Sequence, residues 1–271
     1  PVPPRLVSLK PFGTKVADAI GFQDRLLVPF EEGMIRLFDL KDGSQSVMPF
    51  QPELRAGDRK AWSTPVVDRA DPNKFVVLEN GRQLYRVGIK ESPQRHMAAL
   101  QQRTLAEPIA NSIAALGDTL FAVKREADHD VVVTFQLPGF EDDHQWPLQG
   151  RVIWGPRRVN DRVFVATDQQ GLLCFDSQWN WWKTPAVLRW QAALPYGNLA
   201  GLPFKEKNSY VLASTEGTVW RVDRETGYEL EKIEPLHLKR PLSGNPVVYD
   251  GQLWLSGIDG VLFVVPFPPA T

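Results

Sequence analysis

The chain of 271 residues carries 31 basic and 32 acidic side chains for a net charge of −1, so no global field draws nucleic acid or an anionic membrane surface. Hydrophobic residues make up 43%, with 23 prolines, 20 glycines and 9 tryptophans, a balance that favours many short strands joined by tight turns and offers no apolar run long enough for a membrane-spanning helix. The single cysteine, Cys174 in GLLCFD, excludes an internal disulfide, a CxxC redox pair and a thiolate zinc site, and reads as a buried core thiol.

Taken in chain order, PVPP opens the sequence and PFPPAT closes it, and such proline-rich flanks read as linkers to other domains of a longer protein. Residues 5–10, within PRLVSLKPF, form a lone predicted strand. Six units of about 45 residues follow, at 15–50, 62–104, 108–150, 152–194, 198–236 and 242–267. The last unit is the template: Pro246, two apolar residues, a turn ending at Asp250-Gly251, the strand QLWLSG, the turn IDG and the strand VLFVV. The same order recurs in DAIGFQDRLLVPFEEGMIRLFD, TPVVDRADPNKFVVLENGRQLYRV, NSIAALGDTLFAVKREADHDVVVTF, GPRRVNDRVFVATDQQGLLCFD and LPFKEKNSYVLASTEGTVWRVD. Ala19, Pro65, Ser112, Pro156, Pro203 and Pro246 are the equivalent anchors.

One small sheet cannot bury both of its faces alone but a ring of sheets can, so this period predicts an all-β, six-bladed β-propeller of four-stranded antiparallel blades. The first strand of each unit, such as PVV, is a compact apolar run suited to a crowded axis, whereas the third, such as TVWRV, reads as alternating. Outer strands are predicted at SQSVMPF, AVLRWQAAL and YELEKIEPL. The sixth unit lacks one, and residues 5–10 are expected to supply it and close the ring.

The segments FDLKDGS, VDRETGYEL and TDQQGLLCFD resemble the repeats of the PQQ-like (quinoprotein-type) β-propeller family, most sharply in STEGTVWRVDRETGYELEKIEP. Quinoprotein dehydrogenases of that superfamily are larger, usually eight-bladed, and hold the quinone with a vicinal disulfide and calcium-binding carboxylates. With one cysteine, this chain resembles a member that does not bind PQQ and expects no cofactor. The resemblance implies a scaffold or binding domain outside the cytoplasm, periplasmic or secreted, whose loops face a protein partner; the chain itself is expected to be a monomeric domain that meets a protein partner or other domains of its parent chain.

Loop sorting in a propeller places DHD (Asp128 to Asp130) and EDDH (Glu141 to His144) on opposite faces, which reads as two solvated acidic turns and no joint metal site. The residues preceding the anchors, Asp18, Thr64, Asn111, Gly155, Leu202 and Asn245, approach the axis at one height. Asp18, Asn111 and Asn245 could present oxygens to Ca²⁺, as comparable sets do in six-bladed calcium-dependent lactonases, or hold water and backbone instead. Loops at the channel mouth carry Lys60, Trp62, Arg103, Trp154, Arg157, Tyr196, Asn198, Lys239 and Arg240, a mixture suited to an anionic or sugar-like ligand or an acidic peptide. The competing reading has the tryptophans wedged between blades and the charges solubilising the rim. Trp179, Trp181 and Trp182 crowd one loop as a partner surface or as a local cap.

There is no P-loop, GxSxG, HExxH or strand-to-helix GxGxxG, and His96, His129, His144 and His237 lie scattered over different units. The reading is a non-catalytic binding or scaffolding propeller. Its alternatives are a calcium-dependent hydrolase and a small-ligand or glycan receptor at the channel mouth.

Overall fold

The computed structural model describes residues 15–53, 60–68, 71–177, 186–230 and 234–267. The expected closing strand at 5–10 and the loop of Trp179, Trp181 and Trp182 lie outside the described residues. The chain divides into two compact units, one running up to Ala127 together with Val131–Pro147, the other comprising Asp128–Asp130 and the chain from Leu148 onward.

The first unit is built on three antiparallel sheets, each with its strands in chain order. These are β1 (Ile20–Phe22), β2 (Arg25–Pro29) and β3 (Ile35–Asp39); β4 (Val66–Val67), β5 (Lys74–Glu79), β6 (Gln83–Lys90) and β7 (His96–Thr104); and β8 (Ile109–Leu116), β9 (Thr119–Arg125), β10 (Asp130–Gln136) and β11 (Glu141–Pro147). The second unit has β12 (Val152–Val159), β13 (Arg162–Thr167), β14 (Gly171–Ser177) and β15 (Ala186–Ala192); β16 (Phe204–Glu206), β17 (Ser209–Ala213), β18 (Thr218–Asp223) and β19 (Leu236–His237); and β20 (Leu242–Tyr249), β21 (Gln252–Gly257) and β22 (Leu262–Pro266). No helix among the described residues is long and apolar enough to cross a membrane.

The core sits on the second strand of each sheet. On β5, Phe75 and Val77 face a cluster with Phe22, Leu27 and Leu37 of the first sheet, while Val76 and Leu78 face one with Ile113, Leu120 and Ala122 of the third. On β17, Tyr210 and Leu212 pack with Phe164 and Cys174, and Val211 and Ala213 with Leu242, Leu253 and Leu255. Successive side chains point to opposite faces, and here both faces are covered, so a continuous apolar run replaces alternation. The expected alternation of the third strand fails for the same reason: β18 is buried from Thr218 to Val222. The first strands, expected to be the most crowded, are edge strands; β4 and β16 are only half-buried, while β8 is buried from Ile113 to Leu116.

Turn chemistry repeats with the sheets. Gly33, Gly81, Gly217 and Gly260 precede third strands and Gly171 opens one, all at positive φ. At Gly217 a Cβ would also lie 2.1 Å from the Arg240 carbonyl oxygen, so the position admits no side chain. The two best motif segments close in the same way. Gly43 and Gly227 both have φ 74°, and their N–H groups donate to the carbonyls of Asp39 and Asp223 at 2.8 and 2.9 Å.

Three expected elements shift. SQSVMPF is no outer strand, because Pro49 lacks an N–H. Met48 instead bridges to His96 of the second sheet and Phe50 to Ile35 of the first, stitching the two together. In the fifth unit the described outer pairing is confined to β19, after Pro235, and to a bridge between Glu229 and Val222. EDDH is not a turn but the start of β11, the turn being formed by the Pro138-Gly139 signal just before it.

Candidate functional site

The anchor-preceding residues act between neighbouring sheets. In the first unit Asp18 Oδ2 accepts from Thr64 Oγ1 at 2.7 Å and its Oδ1 from Ala19 N–H at 2.8 Å, while Asn111 Nδ2 donates to the Trp62 carbonyl at 2.7 Å. In the second unit Asn245 Oδ1 accepts from Leu202 N–H at 2.8 Å, where a Cβ on Gly201 would lie 2.2 Å from the Gly244 carbonyl oxygen. Each of these three side chains therefore ties one sheet to the next. Among the described residues, no three His, Cys, Asp or Glu side chains converge as a metal-binding group.

The mouth candidates of the first unit are drawn inward. Lys60, only 8% exposed, pairs with Glu79 at 2.5 Å, and Glu79 also accepts from Tyr85 Oη at 3.0 Å. Burial and the Glu79 charge push the Tyr85 phenol well above its ordinary value. Trp62, 3% exposed, donates Nε1 to the Phe30 carbonyl and packs on Phe50 and Tyr85. Trp62 is thus packed as a core ring, whereas Lys60, read as a mouth or rim charge, is instead a buried ion-pair partner. Arg103 joins the second and third sheets, donating to the Phe140 carbonyl and, at 2.7 Å, to Asp142.

In the second unit Trp154 packs half-buried on the cluster of Phe164 and Trp220. Tyr196 lies edge-on to Trp220 and His237 and donates Oη to Glu229 at 2.9 Å, and burial followed by that carboxylate raises its phenol. Arg240 pairs with Asp259 at 2.8 Å, Lys239 is exposed, and Arg157 is half-buried. Asn198 is exposed at the rim of a cavity of about 600 Å³ formed by the β13–β14 turn, the end of β15 and the connection into β16. A second cavity, of about 620 Å³, lies in the first unit between residues 50–53 and β7.

Several charges that the sequence reading took as solvated or did not single out are buried. Asp130, read as a solvated turn, is 0% exposed and accepts from Arg151 and from Val152 N–H, both at 2.8 Å. Asp143 is likewise withdrawn from solvent, accepting from Gln136 Nε2 at 3.0 Å and pairing with His144 at 2.9 Å. Asp68 takes Arg86 Nε and Nη2 at 2.7 Å, and Glu206 takes Arg221 Nη1 at 2.9 Å. Arg162 is buried against Glu225 at 2.8 Å and Cys174 Sγ at 3.8 Å. Burial pushes the Cys174 thiol up to about 12 despite the opposing pull of Arg162, leaving it a core thiol rather than a nucleophile. The legible clue was spacing: both Asp68 and Glu206 stand three residues after their anchors, Pro65 and Pro203.

No family model matches the chain, and no curated protein matches it. Among solved structures, BamB from Moraxella catarrhalis aligns over 92% of this chain and 71% of its own, with a TM-score of 0.57 at 14% identity. The fold is of the β-propeller kind. The computationally designed Ika8 protein aligns over 93% of this chain and 70% of its own, with a TM-score of 0.59 at 11% identity. At such identities the likeness is one of fold and leaves function to the site itself.

Proposed function

We propose that this chain is a non-catalytic, PQQ-free propeller that binds a protein partner, or other domains of its parent chain, outside the cytoplasm. Its six sheets would be the blades of one ring, with residues 5–10 completing the sixth. The sixth sheet supports this: among the described residues it has three strands, and β22 is an edge on which Leu262 and Val264 stand exposed. A strand added there removes an edge.

The observation that carries the functional reading is the use of the charged groups. Lys60 with Glu79, Asp130 with Arg151, and Arg162 with Glu225 are each committed to a fold contact, and the thiol is buried. Such groups hold sheets together; a general acid or nucleophile must instead meet a substrate. The test is capture of a partner by the immobilised chain, followed by calorimetric titration of the purified partner. A saturable 1:1 isotherm is expected. Failure to bind any protein, together with turnover in a hydrolase substrate panel, would replace the reading.

The calcium-dependent hydrolase alternative has its own measurement, a thermal melt in EDTA and then across a calcium titration. A cation bound only by the folded chain raises the midpoint by linkage. An unchanged midpoint is expected here. A rise abolished by Asn111→Ala would bring the hydrolase reading forward.

A further inference from the structure

We propose that the cavity of the second unit is a docking site for the main chain of an extended peptide of neutral or positive charge. The inference rests on the protein-binding reading above and gives it a place and a ligand chemistry. The cavity of about 600 Å³ falls in the range of formed ligand sites, about 300–1,000 Å³. Its walls carry four primary amides: Gln169 and Gln170 from the β13–β14 turn, Gln191 from β15 and Asn198 from the connection into β16.

A primary amide offers one acceptor oxygen and two donor hydrogens side by side. A peptide unit presents the complementary carbonyl and N–H, so each such side chain can make a paired contact with extended backbone. Gln170 uses its Oε1 on the Gln149 N–H at 2.8 Å, which fixes the side chain and leaves Nε2 to donate. The other three stand exposed on the rim, ready to accept and donate without breaking a fold contact.

The rest of the lining selects among ligands. No lysine, arginine or histidine is among the described lining residues, so nothing there neutralises a phosphate or an acidic peptide. Asp168 supplies a carboxylate, one oxygen of which already accepts from Arg151 N–H at 2.7 Å, and it suits a cationic side chain on the ligand. No aromatic ring is among the described lining residues, and nearby Tyr196 is turned against Trp220 and His237, so these residues offer a sugar no face on which to stack. Ile153, exposed, and Leu194, half-buried, give an apolar patch for a side chain alternating with the hydrogen-bonded backbone.

The experiment uses the whole chain, isotopically labelled, and follows the side-chain amide signals of these residues by NMR. The probes are a capped, lysine-flanked heptapeptide of alternating serine and valine, the same peptide with alternate backbone nitrogens methylated, and maltotriose. Saturable shifts are expected with the first peptide, weakened about tenfold by backbone methylation and about tenfold in the double variant Gln191→Ala/Asn198→Ala, as loss of two or so hydrogen bonds requires. Both substitutions change exposed side chains, so the melting midpoint should hold. Equal binding of the methylated peptide, shifts produced by maltotriose instead, or no saturable shift at all would overturn the proposal. The captured partner separates this from the broader reading: binding unchanged by the double variant sinks the site alone, whereas no partner at all sinks the reading.

Discussion

The second and fifth sheets, one in each unit, solve the same problem differently. In both, a third-strand arginine stands in one row with the second and first strands: Arg86 opposite Val76 and Val66, Arg221 opposite Val211 and Phe204. In both, an acid two residues further along the first-strand segment reaches that arginine. Asp68 directly follows β4 with its own N–H bonded to the Lys74 carbonyl, and it receives two guanidinium nitrogens at 2.7 Å. Glu206, on β16, takes a single nitrogen, while Arg221 Nε and Nη2 are buried with no hydrogen-bond partner among the described residues and the guanidinium lies 5.3 Å over the Phe267 ring. Register fixes where the charge is placed; the local chain decides whether a carboxylate or a ring meets it.

The largest effect is therefore expected from Asp68→Ala. It removes the buried carboxylate and strands Arg86, whose side chain is 12% exposed, and removing one partner of a largely buried pair typically costs about 3–5 kcal/mol. Glu206→Ala removes one charged hydrogen bond and leaves the ring, so a loss of roughly 1.5–3 kcal/mol is expected. Urea unfolding of the whole chain measures both. Equal losses, or the reverse order, would show that the two pairs are energetically alike despite their geometry.

The Asp39 and Asp223 turns offer a milder contrast. Asp223 Oδ1 accepts from Glu225 N–H and Thr226 N–H at 2.8 Å and from Thr226 Oγ1 at 3.0 Å, whereas Asp39 Oδ1 accepts from Lys41 N–H at 2.8 Å. These donors, Thr226 N–H foremost, hold the Asp223 carboxyl below the ordinary carboxylate range. A depressed folded value means that the ionised form stabilises the fold at pH above that range and that this contribution is lost as pH falls through it. Asp223→Ala should cost about 1 kcal/mol at neutral pH, in line with loss of a side-chain cap, and more than Asp39→Ala. The difference between wild type and Asp223→Asn should shrink when denaturation is repeated near pH 3. A constant difference would remove ionisation from the account.

Much of the fold was legible because turns and strand periods are local. The glycines before third strands, the Asp-to-Gly turns at 39–43 and 223–227 and the six strand sets follow from short-range constraints on φ and from side-chain alternation. Burial was less legible, since it depends on which face meets a neighbour. Thus Lys60 and Trp62, polar or amphipathic and next to turns, read as rim residues yet fill the space between packed strands. The amides of the cavity were nearly invisible: Asn198 alone was singled out, because Gln169, Gln170 and Gln191 come together only through the pairing of β14 with β15.

The finest test of the comparison isolates the ring beneath Arg221. Phe267 also packs edge-on against Phe204 at 5.8 Å and joins the cluster of the fifth and sixth sheets, so Phe267→Leu alone mixes packing with charge. A double-mutant cycle with Arg221→Met separates them, because the packing loss appears in both legs and cancels. A guanidinium over a ring is worth about 0.5–1 kcal/mol at accessible sites and about 2 when desolvated. Arg221 is 8% exposed, so a coupling of about 1–2 kcal/mol is expected. A coupling near zero would mean that the ring only fills space and that the unpartnered nitrogens of Arg221 stand uncompensated. Glu206→Ala should then cost as much as Asp68→Ala, and the distinction between the two sheets would collapse.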